Sequence, residues 1–294
     1  MTMTRETAAS QARAVVRQGA HRLRAAGYEQ ARAEAEWLLS HLLGVRPLEM
    51  HVDDPAVPAA TRERFLAQVE ARAQGTPLQY LLGETEFLGH RLRVHPGVFI
   101  PRPETEAVVE AAIGALRVRQ QALGRPLQLL DLGVGSGCIA VSLAHALPAC
   151  VVVGVELSWV ALRTARENVL RHGLDGRVRL VQGSWLDAVR GKFDGVVSNP
   201  PYVPAAEVDH LPLDVRQEPR LSLDGGVDGL REIGRLLDGF PRVGAPGCLL
   251  ALECGVAQAA PLLRRVGEAE WCSAARPLRD LAGRPRGILA AVRH

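Results

Sequence analysis

The stretch L-Q-L-L-D-L-G-V-G-S-G-C-I-A-V-S-L at residues 127–143 decides the fold. Its mainly apolar first part predicts a buried strand, and its last part predicts the start of a helix. Between them, Gly133, Gly135 and Gly137 allow a tight turn and let a ligand approach the backbone closely. The G-x-G-x-G spacing differs from the G-x-G-x-x-G of nicotinamide and flavin dinucleotide sites. On its own, the loop is as compatible with a structural turn as with a ligand site.

Strand and helix patterns alternate along the chain around this loop. Strands are predicted at 127–132, 150–156, 178–182, 193–198, 247–253 and 288–292, and helices at 104–118, 137–146, 158–171, 228–239 and 256–266. The strands are continuously apolar, as in a parallel sheet whose two faces are both covered by helices. The sequence therefore predicts an α/β domain with a mostly parallel sheet over residues 99–294.

Two other patterns precede this domain. Apolar residues three and four positions apart in 14–23, 33–43 and 62–72 predict amphipathic helices. We interpret residues 1–75 as a small all-helical N-terminal domain that docks the substrate, and nothing in it suggests a strand. Glycines and prolines then punctuate residues 76–98, where the short alternating run H-R-L-R-V-H predicts a β-hairpin linker.

The charge balance gives no sign of a protein that coats nucleic acid. The 294 residues include 35 basic and 32 acidic side chains, a net charge of +3, without a basic stripe or tail. The most apolar stretch, 138–155, contains Ser142, His145 and Pro148 and divides into a helix and a strand, so it does not read as a membrane span. We expect a monomer with neither direct nucleic-acid binding nor a membrane.

Three features of the sequence predict a cytoplasmic protein without a metal ion. The first ten residues lack the apolar segment of a secretory signal. The five cysteines are odd in number and form no C-x-x-C pair, as expected of reduced thiols. The nine histidines are scattered along the chain, and no Cys/His cluster is visible, so we expect no metal.

Polar and aromatic side chains follow the next two predicted strands, at the same edge of the sheet as the glycine loop. Glu156 ends the strand in C-V-V-V-G-V-E-L-S (150–158), where an acid can accept hydrogen bonds from both hydroxyls of a ribose. A carboxylate that caps the following helix is the alternative. Trp185 follows the third strand, where an indole fits either an adenine face or half-buried packing. A glycine loop beside an acid favours nucleoside binding.

The fourth strand ends in S-N-P-P-Y (198–202), and its two prolines cannot continue a strand. Together with the glycine loop and the ribose acid, this motif resembles that of class I S-adenosylmethionine-dependent methyltransferases acting on a planar nitrogen. A plain strand terminator is the alternative. In the methyltransferase interpretation, Asn199 Oδ1 and the Pro200 carbonyl each accept one N–H of the target nitrogen. Pro201 restricts Pro200 to an extended conformation, and Tyr202 stacks on the flat substrate group. Water can take the released proton, so no strong general base is needed.

Four further segments indicate a particular family more specifically than N-P-P-Y does. They are P-L-Q-Y-L-L-G-E-T-E-F-L-G-H-R-L-R-V (77–94), F-I-P-R-P-E-T-E (99–106), V-R-Q-E-P-R-L-S-L-D-G-G-V-D-G-L (215–230) and D-L-A-G-R-P-R (280–286). Together they resemble the peptide chain release factor glutamine N5-methyltransferases, over about residues 75–294. The resemblance implies a class I methyltransferase, Rossmann-like fold with S-adenosyl-L-methionine as methyl donor. The acceptor would be the glutamine of the Gly-Gly-Gln motif of class 1 release factors, and the products N5-methylglutamine and S-adenosyl-L-homocysteine.

The resemblance also assigns roles to individual residues. The cofactor would be bound by Gly133, Val134, Gly135, Ser136, Gly137, Glu156, Trp185 and Asn199. The substrate glutamine would be bound by Asn199, Pro200, Pro201 and Tyr202, with Asn199, Pro200 and Tyr202 as the catalytic residues. Phe99 and Arg102 are expected at the entrance. The chain departs from the family at Val134, Glu156 and Ser184, where Thr, Asp and an acid are usual, and keeps N-P-P-Y.

Two other functions would use the same features. A nucleic-acid amino-methyltransferase, acting on adenine N6 or guanine N2, would share N-P-P-Y and would be expected to carry a basic recognition surface. A non-catalytic S-adenosylmethionine-binding module would be expected to lack Asn199, which is present. The sequence favours the glutamine methyltransferase over both.

Overall fold

The computed structural model describes residues 10–293, which form two compact units. The first contains the residues up to Gly83 together with Leu213–Gln217. The second contains Glu84–Pro212 together with the residues from Glu218 onward. The predicted linker is thereby divided, since its first residues group with the helices and its hairpin groups with the sheet. No helix among the described residues is both long and apolar enough to cross a membrane.

Over residues 10–83, the described part of the first unit contains five α-helices and one pair of very short strands. Its elements are β1 Ser10–Gln11, α1 Ala12–Ala25, α2 Ala31–Leu43, α3 Pro47–Asp53, β2 Ala56–Val57, α4 Ala59–Ala73 and α5 Leu78–Leu82. The apolar periodicity predicts α1, α2 and α4. The antiparallel pairing of β1 with β2 is a correction to the all-helical expectation, because two-residue strands leave no periodic signal in a sequence.

The helices of this unit pack closely around a small apolar core. Val16 of α1, Leu38 of α2 and Phe65 of α4 are all buried in it. Gly19 brings α1 and α4 together, since a Cβ at this position would lie 2.5 Å from Cζ of Phe65. Glycine is therefore required here by the close approach of an aromatic ring, at the usual cost of glycine within a helix.

A buried arginine ties the segment Leu213–Gln217 to the helices of the first unit. The Arg72 side chain is 6% exposed and donates to Glu34 Oε2 at 2.6 Å and to Asp214 Oδ2 at 3.2 Å. Its guanidinium also lies 4.0 Å from the centroid of the Tyr28 ring. One planar guanidinium thus holds two carboxylates and an aromatic face. Removing one partner of such a buried network leaves an uncompensated charge, which is strongly destabilising.

The second unit begins with a hairpin and continues into a seven-stranded sheet. Its strands are β3 Glu84–Phe87, β4 His90–Arg93, β5 Leu127–Leu132, β6 Cys150–Glu156, β7 Val178–Gln182, β8 Phe193–Ser198, β9 Gly244–Glu253, β10 Cys272–Arg279 and β11 Pro285–Val292. Its helices are α6 Pro103–Leu123, α7 Cys138–Ala146, α8 Trp159–Arg171, α9 Ala205–Val208, α10 Arg231–Val243 and α11 Ala259–Gly267. Strands β3 and β4 form the predicted hairpin, and its turn residues Leu88 and Gly89 both have positive φ, as a two-residue turn requires.

The sheet has the strand order β10-β11-β9-β8-β5-β6-β7. Strands β9, β8, β5, β6 and β7 run parallel, and β11 is antiparallel to both of its neighbours. This confirms the predicted α/β fold with a mostly parallel sheet. The chain order reverses between β5 and β8, and in open sheets of this kind ligands bind at the carboxyl ends of the strands flanking such a point.

Two apolar layers cover the faces of the sheet. Leu129 of β5 packs into a cluster with α6, α7 and α8, while the next residue, Leu130, packs into a second cluster with α10 and α11. Consecutive residues thus point to opposite faces, and both faces are buried. This is why β5 has apolar residues at consecutive positions.

Strand β10 lies at the edge of the sheet and is not among the strands predicted from the sequence. Its sequence C-S-A-A-R-P-L-R contains Pro277, two arginines and few large apolar residues. An edge strand tolerates proline and charge, since one of its sides forms no ladder within the sheet. The pattern therefore gives little indication of a strand.

Candidate active site

The glycine loop joins β5 to α7 at the carboxyl end of the sheet. Gly133, Gly135 and Gly137 have positive φ, of 76°, 56° and 87°. A Cβ at Gly137 would lie 3.3 Å from Cα of Ala165, so glycine also permits the close approach of α8. A Cβ at Gly135 would meet nothing nearer than 3.9 Å and would project into open space. The loop turns sharply and leaves its backbone accessible to a ligand.

A buried carboxyl precedes this loop. Asp131 of β5 is fully buried, and its Oδ2 accepts a hydrogen bond of 3.0 Å from the Ala140 amide in α7. Burial raises the pKa of Asp131 to about 8, although this hydrogen bond acts in the opposite direction. The side chain therefore links the strand to the helix across the loop, and it is mainly protonated at neutral pH.

Glu156 lies at the tip of β6, beside the glycine loop. Its Oε2 accepts a hydrogen bond of 2.9 Å from the Gly135 amide, and its Oε1 accepts one of 2.8 Å from the Ser158 amide. The cap of α8 is supplied by the Ser158 hydroxyl, which accepts from the Ala161 amide at 3.3 Å. Each carboxylate oxygen has a second lone pair, so Glu156 retains acceptor capacity for a pair of hydroxyl groups.

Trp185 lies across the loop from Glu156 in a strained conformation. It has φ of 45°, unusual for a bulky residue, and its ring lies 3.6 Å from the position of a Cβ on Gly133. Its Nε1 donates to Glu232 Oε2 at 2.8 Å. Glu232 is also paired with Arg231 and Arg235. Strain of this kind is retained where the surroundings enforce it, which is typical of functional sites.

Asn199 follows β8 and is oriented by a residue of α6. Its Nδ2 donates to Thr105 Oγ1 at 3.0 Å, and Thr105 is 2% exposed. The nitrogen end of the amide is therefore committed to the protein, and Oδ1 is the end available to a ligand. Just before it, the Ser198 hydroxyl donates to the Leu132 carbonyl at 2.6 Å and fixes the end of β8 to β5.

Glu253, at the tip of β9, connects Thr105 with Tyr202. The Tyr202 hydroxyl donates to Glu253 Oε1 at 3.2 Å. Burial raises the pKa of Glu253 to about 7, and hydrogen bonds from Thr105 and Tyr202 offset part of this effect. Burial and the proximity of Glu253 also raise the pKa of Tyr202. The tyrosine thus remains a neutral donor, with its ring fixed beside the two prolines.

Another buried acid, Glu218, supports the segment before α6. Glu218 accepts a hydrogen bond of 2.8 Å from the Ile100 amide and forms an ion pair with Arg102. The Arg102 guanidinium lies 5.1 Å from the centroid of the Phe99 ring. Arg102 therefore positions the segment, and Phe99 and Pro101 contribute to the lining of the cavity described next.

A cavity at the carboxyl ends of the strands brings most of these residues together. It encloses about 1070 Å³ of empty space, including space open to solvent. Of the residues predicted for the site, its lining contains Gly133, Val134, Gly135, Ser136, Glu156, Trp185, Asn199 and Pro201. Among the described residues, Gly137, Pro200 and Tyr202 are not part of that lining, although Pro200 and Tyr202 are neighbours of Asn199 and Pro201 in the chain. Residues of the later loop and of α10 complete it, among them Leu221, Asp224 and Glu232.

Each of the two parts of the chain matches a known protein family. The model of the PrmC N-terminal domain matches residues 14–83, and the model of the methyltransferase small domain matches residues 92–213. The release factor glutamine methyltransferase of Moorella thermoacetica is 44% identical over 275 residues, which cover 92% of this chain and 94% of that protein. The protein of the same name from Geobacter sulfurreducens is 44% identical over 253 residues, 84% of each chain.

The chain belongs to the release factor glutamine methyltransferase family. Solved structures of more distant proteins also match. Ribosomal protein L11 methylase from Lactobacillus delbrueckii subsp. bulgaricus is 21% identical, with a TM-score of 0.47 and coverage of 69% of this chain and 86% of that chain. The 16S rRNA N2 G1207 methyltransferase of T. Thermophilus, in complex with AdoMet and guanosine, is 21% identical with a TM-score of 0.48, covering 72% and 50%.

The site of this family member contains groups suited to S-adenosylmethionine, the donor that a methyltransferase domain implies. The space beside Gly135 is open to a ligand, since a Cβ there would meet nothing nearer than 3.9 Å, and the nearby carboxylate of Glu156 has free lone pairs for hydroxyl groups. The Trp185 ring offers an apolar face next to them. The residues present therefore fit the cofactor. No position in this set requires a metal ion.

Three residues of the site were not predicted, namely Thr105, Glu253 and Glu232. Glu253 is an acid at the end of a predicted strand, as Glu156 is, so its position in the sequence could have indicated a site residue. Thr105 lies within F-I-P-R-P-E-T-E, where the motif was noted but no role was given to this side chain. The sequence around Glu232 does not indicate a site residue, because the role of Glu232 is to accept the hydrogen bond from the Trp185 indole, a contact between residues far apart in the chain.

Proposed function

We propose that this protein transfers the methyl group of S-adenosyl-L-methionine to the side-chain amide nitrogen of the glutamine in the Gly-Gly-Gln motif of class 1 peptide chain release factors. Family membership supports this acceptor. The observation that carries the proposal is the fixed amide of Asn199, whose Nδ2 is bonded to Thr105 and whose Oδ1 is left as an acceptor at the cavity.

The proposed cofactor site is the glycine loop with Glu156 and Trp185. The loop backbone between Gly133 and Gly137 would lie along the amino acid part of the cofactor, and Glu156 would accept hydrogen bonds from the ribose hydroxyls. Trp185 would lie against the adenine. When bound, the cofactor supplies an electrophilic methyl group on a sulfonium. The neighbouring position of Asn199 in the same cavity supports transfer over a short distance.

The proposed substrate site is Asn199-Pro200-Pro201-Tyr202. A glutamine amide has two N–H groups and a lone pair that is delocalised into its carbonyl. Asn199 Oδ1 and the Pro200 carbonyl would accept these two N–H groups, which increases electron density on the nitrogen and fixes its orientation towards the methyl group. Pro201 restricts Pro200, and the Tyr202 ring, fixed through its hydroxyl to Glu253, would contact the flat amide. The nitrogen becomes acidic as it is methylated, and water can take its proton.

Transfer of labelled methyl tests the acceptor directly. The purified chain is incubated with labelled S-adenosylmethionine and a native release factor, or the same factor with Gln→Ala in its Gly-Gly-Gln motif. Duplex DNA and total RNA are added as competing acceptors. Label on the native factor alone is expected. Label on nucleic acid would instead indicate an amino-methyltransferase of adenine or guanine, and binding without any transfer would indicate a non-catalytic module.

A matched pair of variants tests the role of the fixed amide. Asn199→Ala should lower kcat/KM by about a hundredfold or more, as loss of one preorganised hydrogen-bonding group commonly does. Asn199→Asp keeps the size of the side chain and its acceptor oxygens but replaces the Nδ2 donor to Thr105. If both variants transferred methyl at the native rate, Asn199 would not hold the glutamine.

Four further features are part of this proposal. The chain acts as a monomer, it works in the cytoplasm where release factors act, it uses its helical unit to bind the factor outside the glutamine loop, and it has no direct affinity for nucleic acid. Light scattering of the purified chain, alone and with the factor, measures the oligomeric state. The electrophoretic mobility of labelled RNA in the presence of the chain measures nucleic-acid binding.

A further inference from the structure

Three histidines far apart in the sequence come together on the second unit, outside the cavity. They are His90 at the start of β4, His145 in the last turn of α7 and His172 at the end of α8. One ring nitrogen of each lies within 4.8 Å of those of the other two. His145 is exposed, and His90 and His172 are half-buried, so the cluster is accessible from solvent.

The spacing of the rings is close to that of a tetrahedral metal site. Two nitrogens bound at about 2.05 Å to a tetrahedral Zn²⁺ lie about 3.3 Å apart. Nε2 of His145 and Nδ1 of His172 are 3.3 Å apart. The three distances between ring centroids are 4.5, 5.6 and 5.3 Å. The rings of His90 and His145 are stacked with an interplanar angle of 18°, so the His90 ring would have to turn to direct a nitrogen at the metal.

One ligand is already oriented by the backbone. Nε2 of His172 lies 2.9 Å from the Arg91 carbonyl, to which only a protonated ring nitrogen can donate. The neutral form of His172 that satisfies this carbonyl carries its proton on Nε2 and presents the lone pair of Nδ1 to His145. Metal-bound histidines usually donate their second nitrogen to a carbonyl or carboxylate in this way.

The surroundings of His90 and His145 favour the neutral imidazole, the form that binds a metal. Burial, followed by the neighbouring imidazoles, lowers the pKa of His90. Burial, His172 and then Arg177 lower the pKa of His145. Arg177 is a nearby positive charge that opposes a cation, and its Nη1 is directed to main-chain carbonyls, at 2.6 Å from that of Ala144.

We propose that His90, His145 and His172 form a binding site for a divalent transition metal of the zinc class, with the fourth position open to water. The metal would join the hairpin to α7 and α8. These elements are already connected through Asn168, which bonds to both the amide and the carbonyl of Arg93 and to the Ser136 carbonyl of the glycine loop. The site is structural, since none of the three histidines lines the cavity. The sequence, with its scattered histidines, predicts no metal, and this prediction is what the experiment decides.

Zinc titration of the full chain tests the site. After treatment with a chelator and desalting, calorimetry with Zn²⁺ should show about one saturable site per chain. His145→Gln and His172→Gln should each weaken binding about tenfold or more, while His210→Gln, an exposed histidine elsewhere on the same unit, should not. Saturating Zn²⁺ should raise Tm by roughly 5 °C in the native chain and not in His145→Gln.

Substitution of Co²⁺ identifies the ligands by their spectrum. A tetrahedral site of three nitrogens and water should give visible d–d bands without thiolate charge transfer in the near ultraviolet. Charge transfer would instead assign the metal to the cysteines. The proposal is overturned by that result, by the absence of saturable Zn²⁺ binding, or by equal affinity in the native chain and His145→Gln. Methyl transfer by His145→Gln without metal should equal that of the native chain.

Discussion

Replacing Thr105 by valine tests whether the orientation of Asn199 matters for catalysis. The two side chains have nearly the same shape, but Thr105→Val removes the oxygen that accepts the Asn199 Nδ2–H at 3.0 Å. An unsatisfied buried donor costs about 1–3 kcal/mol, and the amide then gains by turning its nitrogen towards the cavity. In that orientation it presents a donor where the substrate needs an acceptor.

The expected loss follows from these energies. Since each 1.4 kcal/mol corresponds to about tenfold in rate, kcat/KM should fall by about tenfold to a hundredfold. Most of the fall should be in kcat, because the acceptor oxygen acts on the reacting nitrogen. Affinity for S-adenosylhomocysteine should change little, since the glycine loop and Glu156 are untouched. Tm should decrease by roughly 2–4 °C for each kcal/mol of lost stability. Methyl transfer is therefore measured well below the Tm of the variant.

Thr105→Ser is the matched control, because it keeps the hydroxyl and loses only a methyl group. It should retain most of the native kcat. Methyl transfer to a release factor measures kcat and KM, and calorimetry with S-adenosylhomocysteine measures cofactor affinity in the same preparations. Native kcat in Thr105→Val, or equal impairment of the valine and serine variants, would refute the positioning role of Thr105.

Three further predictions concern the cofactor, the pH dependence and the first unit. Glu156→Ala should weaken binding of S-adenosylhomocysteine about tenfold or more by calorimetry, whereas Glu156→Asp, the residue usual in the family, should retain binding; equal affinity in native chain and Glu156→Ala would exclude the ribose role. Burial raises the pKa of Glu253 from its ordinary 4.5 to about 7, so the folded chain keeps a proton there that the unfolded chain has lost. Its contribution to the free energy of unfolding is therefore full below pH 4.5 and declines by up to about 3 kcal/mol as pH rises to about 7, and Glu253→Gln should flatten that decline in Tm measured against pH. Leu48 and Val52 lie four residues apart on α3 and are 71% and 66% exposed, so replacing both by serine should raise KM for the whole release factor and not for a Gly-Gly-Gln peptide, with Leu170→Ser on the second unit as control.

The central sheet is the part of the fold that the sequence determines most clearly. Strands β5, β6 and β8 are largely buried on both faces, so each is rich in apolar residues at consecutive positions, and turn residues mark its ends. The edge strand β10 has no such constraint and was missed. The position of each predicted strand end also places Glu156 and Asn199 at one edge, which is why local patterns were sufficient to group them.

Other parts of the site depend on distant contacts that local patterns do not reveal. Thr105 meets Asn199 across 94 residues of chain. His90 and His172 are brought together by the packing of the hairpin against α8, and no spacing in the sequence indicates it. The raised pKa of Glu253 likewise depends on burial, which is a property of the folded chain. Such features are visible only once the sheet and its helices are assembled.

The composition of the first unit has a consequence for dissecting the protein genetically. Leu213–Gln217 lies well over a hundred residues beyond Gly83 in the chain, yet it groups with the helices through Arg72 and Asp214. A shortened chain that begins after Gly83 would therefore keep this segment without the arginine that neutralises Asp214, and would also lose Gly75, against which Leu213 packs. Truncation would thus disturb the loop that follows the N-P-P-Y motif, and a lowered activity would be ambiguous. Point substitutions on exposed helical faces can test recognition of the release factor without disturbing this loop. Exchanging the helical part between family members would require Leu213–Gln217 to be exchanged with it.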